Sequence, residues 1–140
     1  MIARLIIKKA IKGGFEAINQ HDLPRLISSY QDDATLIYPG EGPQSGTFKG
    51  KAAVEGWYRT WFDQFPSIHL DLKDIYVKSI FGLRTNSVVT HWDIQLTNRD
   101  GVEGTFSGVT LFDVKGGKVL LQKEFLFDQG EHHKRMWGVV

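Results

Sequence analysis

The spacing of hydrophobic residues along the chain changes from a helical period to a strand period. Between Ile2 and Asn19, apolar residues that include Ile2 and Ile6 fill one wide arc of a helical wheel, and lysines occupy most of the other side. A second helical stretch runs from Lys51 to Phe65, where aromatic residues recur at steps of three and four, and Pro66 ends it. After Pro66 apolar and polar residues alternate, which predicts β-strands.

Four long strands are predicted in the second part of the chain, over residues 67–79, 83–97, 102–114 and 118–128. Short glycine-containing connections separate them, at Phe81-Gly82, 98–101 and 115–117, and these are typical of hairpins. Gly104 and Gly108 within one strand predict bulges that bend it. Elsewhere the pattern predicts a short helix after an Asp22 N-cap, a strand over 34–38, a loop or small hairpin over 40–50, and a short helix in the tail.

Helices followed by a meander of long strands predict an α+β fold with an antiparallel sheet. Strands of this length twist and coil, so the sheet is expected to curve. The N-terminal helices must cover one face, and a bent sheet covered in this way encloses a pocket. Since no repeat or linker is visible, residues 1–140 are predicted to form a single domain.

Charge and composition exclude several classes of protein. A formal net charge of +1 argues against a nucleic-acid-binding protein, which depends on a broad basic surface. The absence of cysteine excludes disulfides, thiolate zinc sites and cysteine nucleophiles. No spacing gathers the three or four ligands of a metal site, and no glycine-rich phosphate loop opens a helix, so neither a metal nor a cofactor is predicted.

The N-terminal segment has neither the long apolar run of a membrane span nor a signal-peptide cleavage site, so a cytoplasmic location is predicted. The lysine-bearing amphipathic helix admits a second interpretation, in which it lies on a membrane surface. A helix that packs on the core and exposes its lysines to water explains the same pattern and is preferred. No membrane contact is therefore expected apart from that alternative.

His91 and Asp93 are candidate catalytic residues because they lie two positions apart on a predicted strand and share one face. On a concave face, an imidazole that titrates near neutral pH beside a carboxylate forms a proton-transfer pair. In the alternative, this face meets solvent or a partner subunit, and the even-numbered residues from Thr90 to Leu96 point inward. The polarity pattern leaves both alternatives open.

Glu124 is the third candidate catalytic residue, on the mixed face of the last strand. That face either lines a pocket, where desolvation would raise the pKa of a carboxyl, or lies under a partner subunit. Four aromatic residues are predicted to form core or pocket wall and are the candidate ligand-binding residues: Tyr38, Trp57, Trp61 and Phe106.

The order of these elements resembles the nuclear transport factor 2-like superfamily, and in particular its SnoaL-like, polyketide cyclase-like branch. The segments that carry the resemblance are NQHD at 19–22, YQDDAT at 30–35, GTFKG at 46–50, NRDG at 98–101 and GKVL at 117–120. The resemblance spans nearly the whole chain and implies a cone-shaped half-barrel around a pocket. It does not imply one reaction, because this fold carries isomerases, cyclases, epoxide hydrolases, dehydratases and binding proteins.

Three families of the superfamily suggest roles for single residues. The position of the catalytic aspartate in ketosteroid isomerases is Tyr38 here, so that isomerase base is missing. Limonene-epoxide hydrolases resemble the chain at His91, Asp93 and Glu124, although their water-holding tyrosine and asparagine find no equivalents over 34–39. SnoaL-type cyclases use a pocket aspartate and histidine, a pair that Asp93 and His91 resemble.

Two classes of function remain after these arguments. The first is a cofactor-free enzyme that moves protons on a small hydrophobic molecule through His91, Asp93 and Glu124, with Tyr38 donating a hydrogen bond to a developing oxyanion. The second is a non-catalytic protein, either a small-ligand-binding module or a dimeric interaction module. Under each of them the wide outer face of the sheet predicts a homodimer.

Overall fold

A computed structural model describes residues 2–78 and 85–139 of the chain. Its elements in order are α1 (Ile2–Asn19), α2 (Leu23–Ile27), β1 (Tyr30–Tyr38), β2 (Gly46–Lys49), α3 (Lys51–Gln64), β3 (Ser67–Val77), β4 (Asn86–Thr97), β5 (Glu103–Lys115), β6 (Lys118–Leu126) and α4 (Glu131–Met136). The predicted turn at Phe81-Gly82 lies outside the described residues. The other predicted elements are present with small changes at their ends.

The strands form one six-stranded, curved and unclosed sheet in the order β2-β1-β6-β5-β4-β3. The α+β fold class is therefore confirmed. One pairing differs from the predicted antiparallel arrangement, because β1 runs parallel to β6, with Leu36 opposite Gln122. Parallel neighbours need a long crossover, which α3 and the β3–β6 meander supply between these two strands.

Two side chains near the α1–α2 junction place the N-terminal helices over the sheet. The Asn19 amide donates to the Leu70 carbonyl oxygen at 2.9 Å and accepts from the Leu70 amide at 2.7 Å, so it pairs with β3 as another strand would. Asp22 caps α2 by accepting from the Arg25 amide. These contacts fix the end of α1 against β3.

The sheet has two distinct faces, called here the inner face and the outer face. The inner face carries the even-numbered residues of β4 and β5, such as Trp92 and Phe106, which are buried. Helices α1 and α3 cover it with Ile7, Phe15 and Trp61, among others. The outer face carries the odd-numbered residues of these strands, most of them partly accessible. The hydrophobic core therefore lies between the helices and the inner face.

The buried side of α1 is narrower than the apolar arc that the sequence shows. Ile7, Ile11 and Ile18 are buried, whereas Ile2 and Ile6 are exposed. These three buried residues follow steps of four and seven, and Ile2 and Ile6 fall outside this series. The interpretation of the whole arc as core is wrong at this end of α1.

Gly104 and Gly108 do not form the predicted bulges, since β4 and β5 pair in continuous register past both. Bulges occur instead between Leu72 and Asp74 and between Asp113 and Val114. A Cβ at Gly108 would lie 2.9 Å from the Trp92 ring, and one at Gly104 would lie 2.8 Å from the Phe106 ring. Glycine is required at these positions by close packing rather than by a bend.

Candidate functional site

A largely apolar cavity lies between α1, α3 and the inner face of the sheet. Its volume is about 110 Å³. Aliphatic side chains of α1 and aromatic side chains of α3 and the sheet form most of the wall. An apolar cavity of roughly 150 Å³ holds a benzene-sized molecule, so the space here is of the order of one small ring.

The cavity reaches the surface between α1 and the β5–β6 turn. Ile6, Ala10 and Gly117 line the cavity and are also exposed, which places a mouth at this point. The opposite end is closed by Tyr38, His133 and Trp137. A second, more polar depression on the far side of His133 and Trp137 shares these two residues with the cavity.

Glu124 lies on the inner face of β6 and lines the cavity. Its Oε2 accepts a hydrogen bond from the Thr110 hydroxyl at 2.7 Å, and its Oε1 accepts one from the Gln122 amide at 2.6 Å. Thr110 is directly opposite Glu124 on β5 and accepts in turn from the Trp92 indole at 2.9 Å. Cross-strand pairing therefore fixes the orientation of the carboxyl.

Two phenols complete the polar network behind Glu124. The Gln122 Oε1 accepts from the hydroxyls of Tyr30 and Tyr58, and its Nε2 also lies 2.9 Å from the Tyr58 oxygen. The two hydroxyls are 2.8 Å apart. All the polar groups of the Gln122 side chain are engaged, so the network holds a buried amide and a carboxyl in one arrangement.

Burial determines the protonation of these groups. Desolvation raises the pKa of Glu124, and the hydrogen bonds from Gln122 and Thr110 oppose that shift. Desolvation also raises the pKa of Tyr38 and of Tyr58, and the charge of Glu124 adds to it. The phenols therefore stay protonated and can donate, whereas Glu124 is placed to exchange a proton nearer neutral pH than a carboxyl in water.

Tyr38 and His133 form a second polar pair in the cavity wall. The Tyr38 hydroxyl lies 3.2 Å from the His133 Nε2, and the Phe106 ring packs edge-on against the imidazole. Desolvation lowers the pKa of His133, an effect that Asp128 partly offsets, so burial favours the neutral imidazole. His133 was not a predicted site residue, because nothing in the sequence distinguishes it from His132, which is exposed.

The predicted site residues separate into two groups. Glu124 and the four aromatic candidates line the cavity, namely Tyr38, Trp57, Trp61 and Phe106. His91 and Asp93 lie on the outer face, because Trp92 between them points inward. The expected grouping of His91, Asp93 and Glu124 in one pocket is therefore corrected, and the alternative orientation of β4 is the one observed.

On the outer face, His91 and Asp93 have partners of their own. The His91 Nδ1 lies 3.9 Å from an Asp74 oxygen. Asp93 accepts from the Ser107 hydroxyl at 2.6 Å and lies 3.6 Å from the Lys73 ammonium. The hydrogen bond from Ser107 and the nearby charges lower the pKa of Asp93, which keeps it ionised. Neither side chain reaches the cavity of its own molecule.

Sequence reasoning missed the residues that orient Glu124, namely Thr110, Gln122, Tyr30, Tyr58 and Trp92. Gln122 had a visible signal, since it lies two positions before Glu124 on the same face of one strand. Thr110 and Tyr30 come from other strands and are brought there by the register of the sheet, whereas Tyr58 comes from α3, which packs on the inner face.

Within residues 2–78 and 85–139, no three histidine or carboxylate side chains converge as metal ligands would. Among the same residues, no helix is both long enough and apolar enough to cross a bilayer.

The fold agrees with what known proteins show. A family model of the SnoaL-like domain matches residues 11–121 of the chain. The chain belongs to the SnoaL-like family. The match confirms the resemblance to the SnoaL-like branch that the sequence motifs show. No curated protein sequence matches this SnoaL-like chain at a significant level.

Solved structures with the same fold include several NTF2-like and cystatin-like proteins. TerC, co-crystallised with polyporic acid, is similar with a TM-score of 0.77 and 17% identity over 94% of this chain and 98% of TerC. An NTF2-like protein of unknown function from Burkholderia pseudomallei K96243 has a TM-score of 0.76 and 15% identity, over 94% and 95% of the two chains. An uncharacterised cystatin-fold protein from Novosphingobium aromaticivorans has a TM-score of 0.66 and 18% identity, over 84% and 95%.

Proposed function

We propose that this SnoaL-like protein binds a small hydrophobic molecule in its cavity and that Glu124 exchanges a proton with it, without a cofactor. The observation that carries the proposal is the placement of Glu124. Among the described residues that line the cavity, it is the one carboxyl in an otherwise largely apolar wall. A positioned carboxyl whose pKa is raised towards the working pH is suited to general acid–base catalysis.

The surrounding groups support proton transfer next to a carbonyl group. The Glu124 carboxylate would take a proton from carbon, and the electron pair would move onto the carbonyl oxygen to give an enolate. Return of the proton to another carbon completes an isomerisation. Alternatively, the enolate carbon attacks a second carbonyl of the same molecule, and the resulting alkoxide takes the proton back from the Glu124 carboxyl, which completes a cyclisation. Neither reaction needs an oxidant or another co-reactant.

Tyr38, which lines the same cavity, would hydrogen-bond the oxygen of such an intermediate. Its pKa is raised by burial, so it donates rather than ionises. In the Nε2–H tautomer, His133 donates to the Tyr38 oxygen and leaves the phenol proton free for a ligand. A donor fixed before the reaction stabilises negative charge more than a mobile one. The contact with His133 holds the Tyr38 hydroxyl in position in this way.

Exchange of hydrogen for deuterium tests proton transfer before the substrate is known. The protein is incubated in D₂O with a panel of small monocyclic ketones and diketones, and incorporation is followed by mass spectrometry. We expect incorporation above the buffer rate for at least one compound, and a decrease of about 100-fold or more for Glu124→Gln.

Asp93→Asn is the matched control, because it removes a carboxylate from the outer face. We expect it to retain the exchange activity. The proposal fails if no compound exchanges above the buffer rate, or if Glu124→Gln exchanges as fast as the unmodified protein.

A non-catalytic binding function has one observation in its favour. Both oxygens of Glu124 are already hydrogen-bonded, so the carboxyl could serve only as a polar anchor in the wall. Trp57 and Trp61 line the cavity and report occupancy by fluorescence. Quenching by a ring compound that the protein does not exchange would favour this function over catalysis.

We also propose that the outer face pairs two copies of the chain, in a cytoplasmic homodimer. Phe125 and Tyr76 are exposed on this face, with Val109 and Leu111 half-buried beside them. Exposed apolar patches of this kind mark protein–protein contact sites.

A further inference from the structure

One end of the molecule combines exposed aliphatic side chains with a cluster of basic ones. Ile2, Leu5 and Ile6 in the first turns of α1 are 75%, 67% and 59% exposed. Arg4 in the same turns donates to the Val77 carbonyl oxygen at 3.1 Å, which holds the start of α1 at the end of β3. A soluble surface carries single exposed aliphatic residues, but three in two helical turns form a patch.

The ends of four strands add basic residues beside this patch. Val77 pairs with Val88 and Asn86 with Val114, so the end of β3 and the β5–β6 turn lie at the same end of the sheet. The basic residues at this end are Arg4, Lys8, Lys9, Lys78, Lys115 and Lys118. Together with Ile2, Leu5 and Ile6 they are called here the basic–apolar end. Among the described residues, none of these six basic residues forms an ion pair.

Acidic residues cancel only part of this charge. Asp113 points to the outer face and accepts from the Ser87 hydroxyl. Glu16, on the same helix as the basic residues, lies near its other end and pairs with Arg25. Asp32 and Asp33 on β1 are the remaining acidic residues near the β5–β6 turn. Since the whole chain has a formal charge of only +1, the excess of basic groups here is local.

The mouth of the cavity opens in this same surface. Ile6 belongs to the exposed patch and also lines the cavity, and Gly117 lines it from the turn between Lys115 and Lys118. A molecule entering the cavity at this mouth would therefore pass between the exposed aliphatic residues and the lysines. A surface with this composition is suited to the boundary between lipid headgroups and acyl chains.

We propose that the basic–apolar end docks the protein on the surface of an anionic lipid bilayer, with Ile2, Leu5 and Ile6 inserted between headgroups and the lysines bound to phosphate. Docking would place the mouth of the cavity against the bilayer, where hydrophobic molecules are concentrated. The contact is peripheral and reversible, because one helical end buries little apolar surface. It does not require Glu124 to be catalytic, so it can hold or fail separately from the proposed function.

Flotation of the protein with lipid vesicles tests the docking. Vesicles of phosphatidylcholine alone are compared with vesicles of phosphatidylcholine mixed with phosphatidylglycerol, at low and at physiological ionic strength. We expect binding to the anionic vesicles only, and weaker binding as salt is added. Each basic residue at a membrane surface contributes on the order of fivefold to binding, so Lys115→Gln with Lys118→Gln should weaken it roughly 25-fold.

Leu5→Ser separates insertion from simple charge attraction. Because Leu5 is exposed, the substitution should leave folding unchanged and still weaken vesicle binding severalfold. The matched control is Lys49→Gln with Lys51→Gln, which removes two lysines near β2 and should change binding less than twofold. Equal binding to both kinds of vesicle, or equal loss in the control, would overturn the proposal. So would a Leu5→Ser variant that binds vesicles normally but changes its sedimentation coefficient, since a second copy would then cover the patch.

Discussion

At the scale of single residues, Glu124 combines two opposing environments. Its two hydrogen bonds hold the ionised form, while the apolar cavity favours the neutral form, and burial is the larger effect. The same balance that suits a carboxyl to proton transfer makes its ionised form costly to the folded state. The stability of the protein must therefore respond to pH through this residue.

Glu124→Gln should make the protein less sensitive to rising pH. The folded-state pKa of Glu124 is raised above its unfolded value, so between these two values the unfolded state has lost a proton that the folded state keeps. The free energy of unfolding of the unmodified protein therefore falls as pH rises through this window, by at most about 1.4 kcal/mol per pH unit from this group. The amide that replaces the carboxyl in the variant has no such proton to lose.

Urea denaturation of both proteins from pH 4 to pH 8 measures this difference. Other titrating groups contribute equally to the two curves and cancel in the subtraction. We expect the variant to gain stability relative to the unmodified protein as pH rises, with a plateau above the folded-state pKa. A difference that does not change with pH would contradict the raised pKa.

At the scale of elements, much of the fold could be predicted from local patterns. Helix α1 begins and ends at the predicted residues, and α3 ends one residue before the predicted Phe65. These limits have local causes, such as the helical period and Pro66. The parallel pairing of β1 with β6 has no local cause, since Leu36 and Gln122 are distant in sequence.

The candidate site was harder to predict from the sequence than the helices and strands, because of the geometry of β-strands. Successive side chains alternate between faces, so an error of one residue in the assumed face moves every candidate on the strand to the other side. This occurred at His91 and Asp93, which the resemblance placed in a pocket, whereas their neighbour Trp92 is the residue that lines the cavity. Glu124 offered the same ambiguity, and only the register with Thr110 shows that it faces the cavity.

Gly108→Ala tests the close packing of β5 against its neighbours. The added Cβ would lie 2.9 Å from the Trp92 ring and would also meet the Phe125 carbonyl oxygen, which the backbone of β6 holds in place. We expect the variant to lose about 1–3 kcal/mol of stability, measured by denaturant unfolding.

Gly56→Ala is the control for this prediction and should change the stability of the protein in the opposite direction. Gly56 lies within α3, and nothing stands within 4 Å of a Cβ at that position. Alanine there should stabilise the protein by about 0.5–1 kcal/mol. If Gly108→Ala were as well tolerated as Gly56→Ala, the contact with Trp92 would not be the reason for glycine.

At the scale of the whole molecule, the two faces of the sheet divide the proposed functions between them. The inner face encloses the cavity with Glu124, and the outer face carries Phe125 and its apolar neighbours. Lys123 lies 5.3 Å from the Phe125 ring centroid, so this part of the outer face combines an aromatic side chain with a cation. Changes on the outer face should therefore alter association and leave the cavity intact.

Phe125→Ser combined with Tyr76→Ser should convert a dimer into a monomer. The substitutions remove two of the exposed aromatic rings of the outer face, which are suited to anchor such a contact. Sedimentation velocity at micromolar concentration measures the change, and Leu5→Ser on α1 is the control that should not affect it. A monomeric unmodified protein would exclude the dimer, and an unchanged dimer in the double variant would place the contact elsewhere.

Strand β1 is synthesised long before β6, its parallel partner, and this order governs how the sheet can assemble during synthesis. Strands β3 to β6 pair with sequence neighbours and can form as successive hairpins, but β1 must wait until Val119 to Lys123 have left the ribosome. Until then β1 is paired only with β2, and its other edge is unprotected. Asp32 and Asp33, exposed on β1, are charges of the kind that discourage such an edge from pairing with another nascent chain. These carboxylates would thus guard against aggregation before the last strand of the sheet exists.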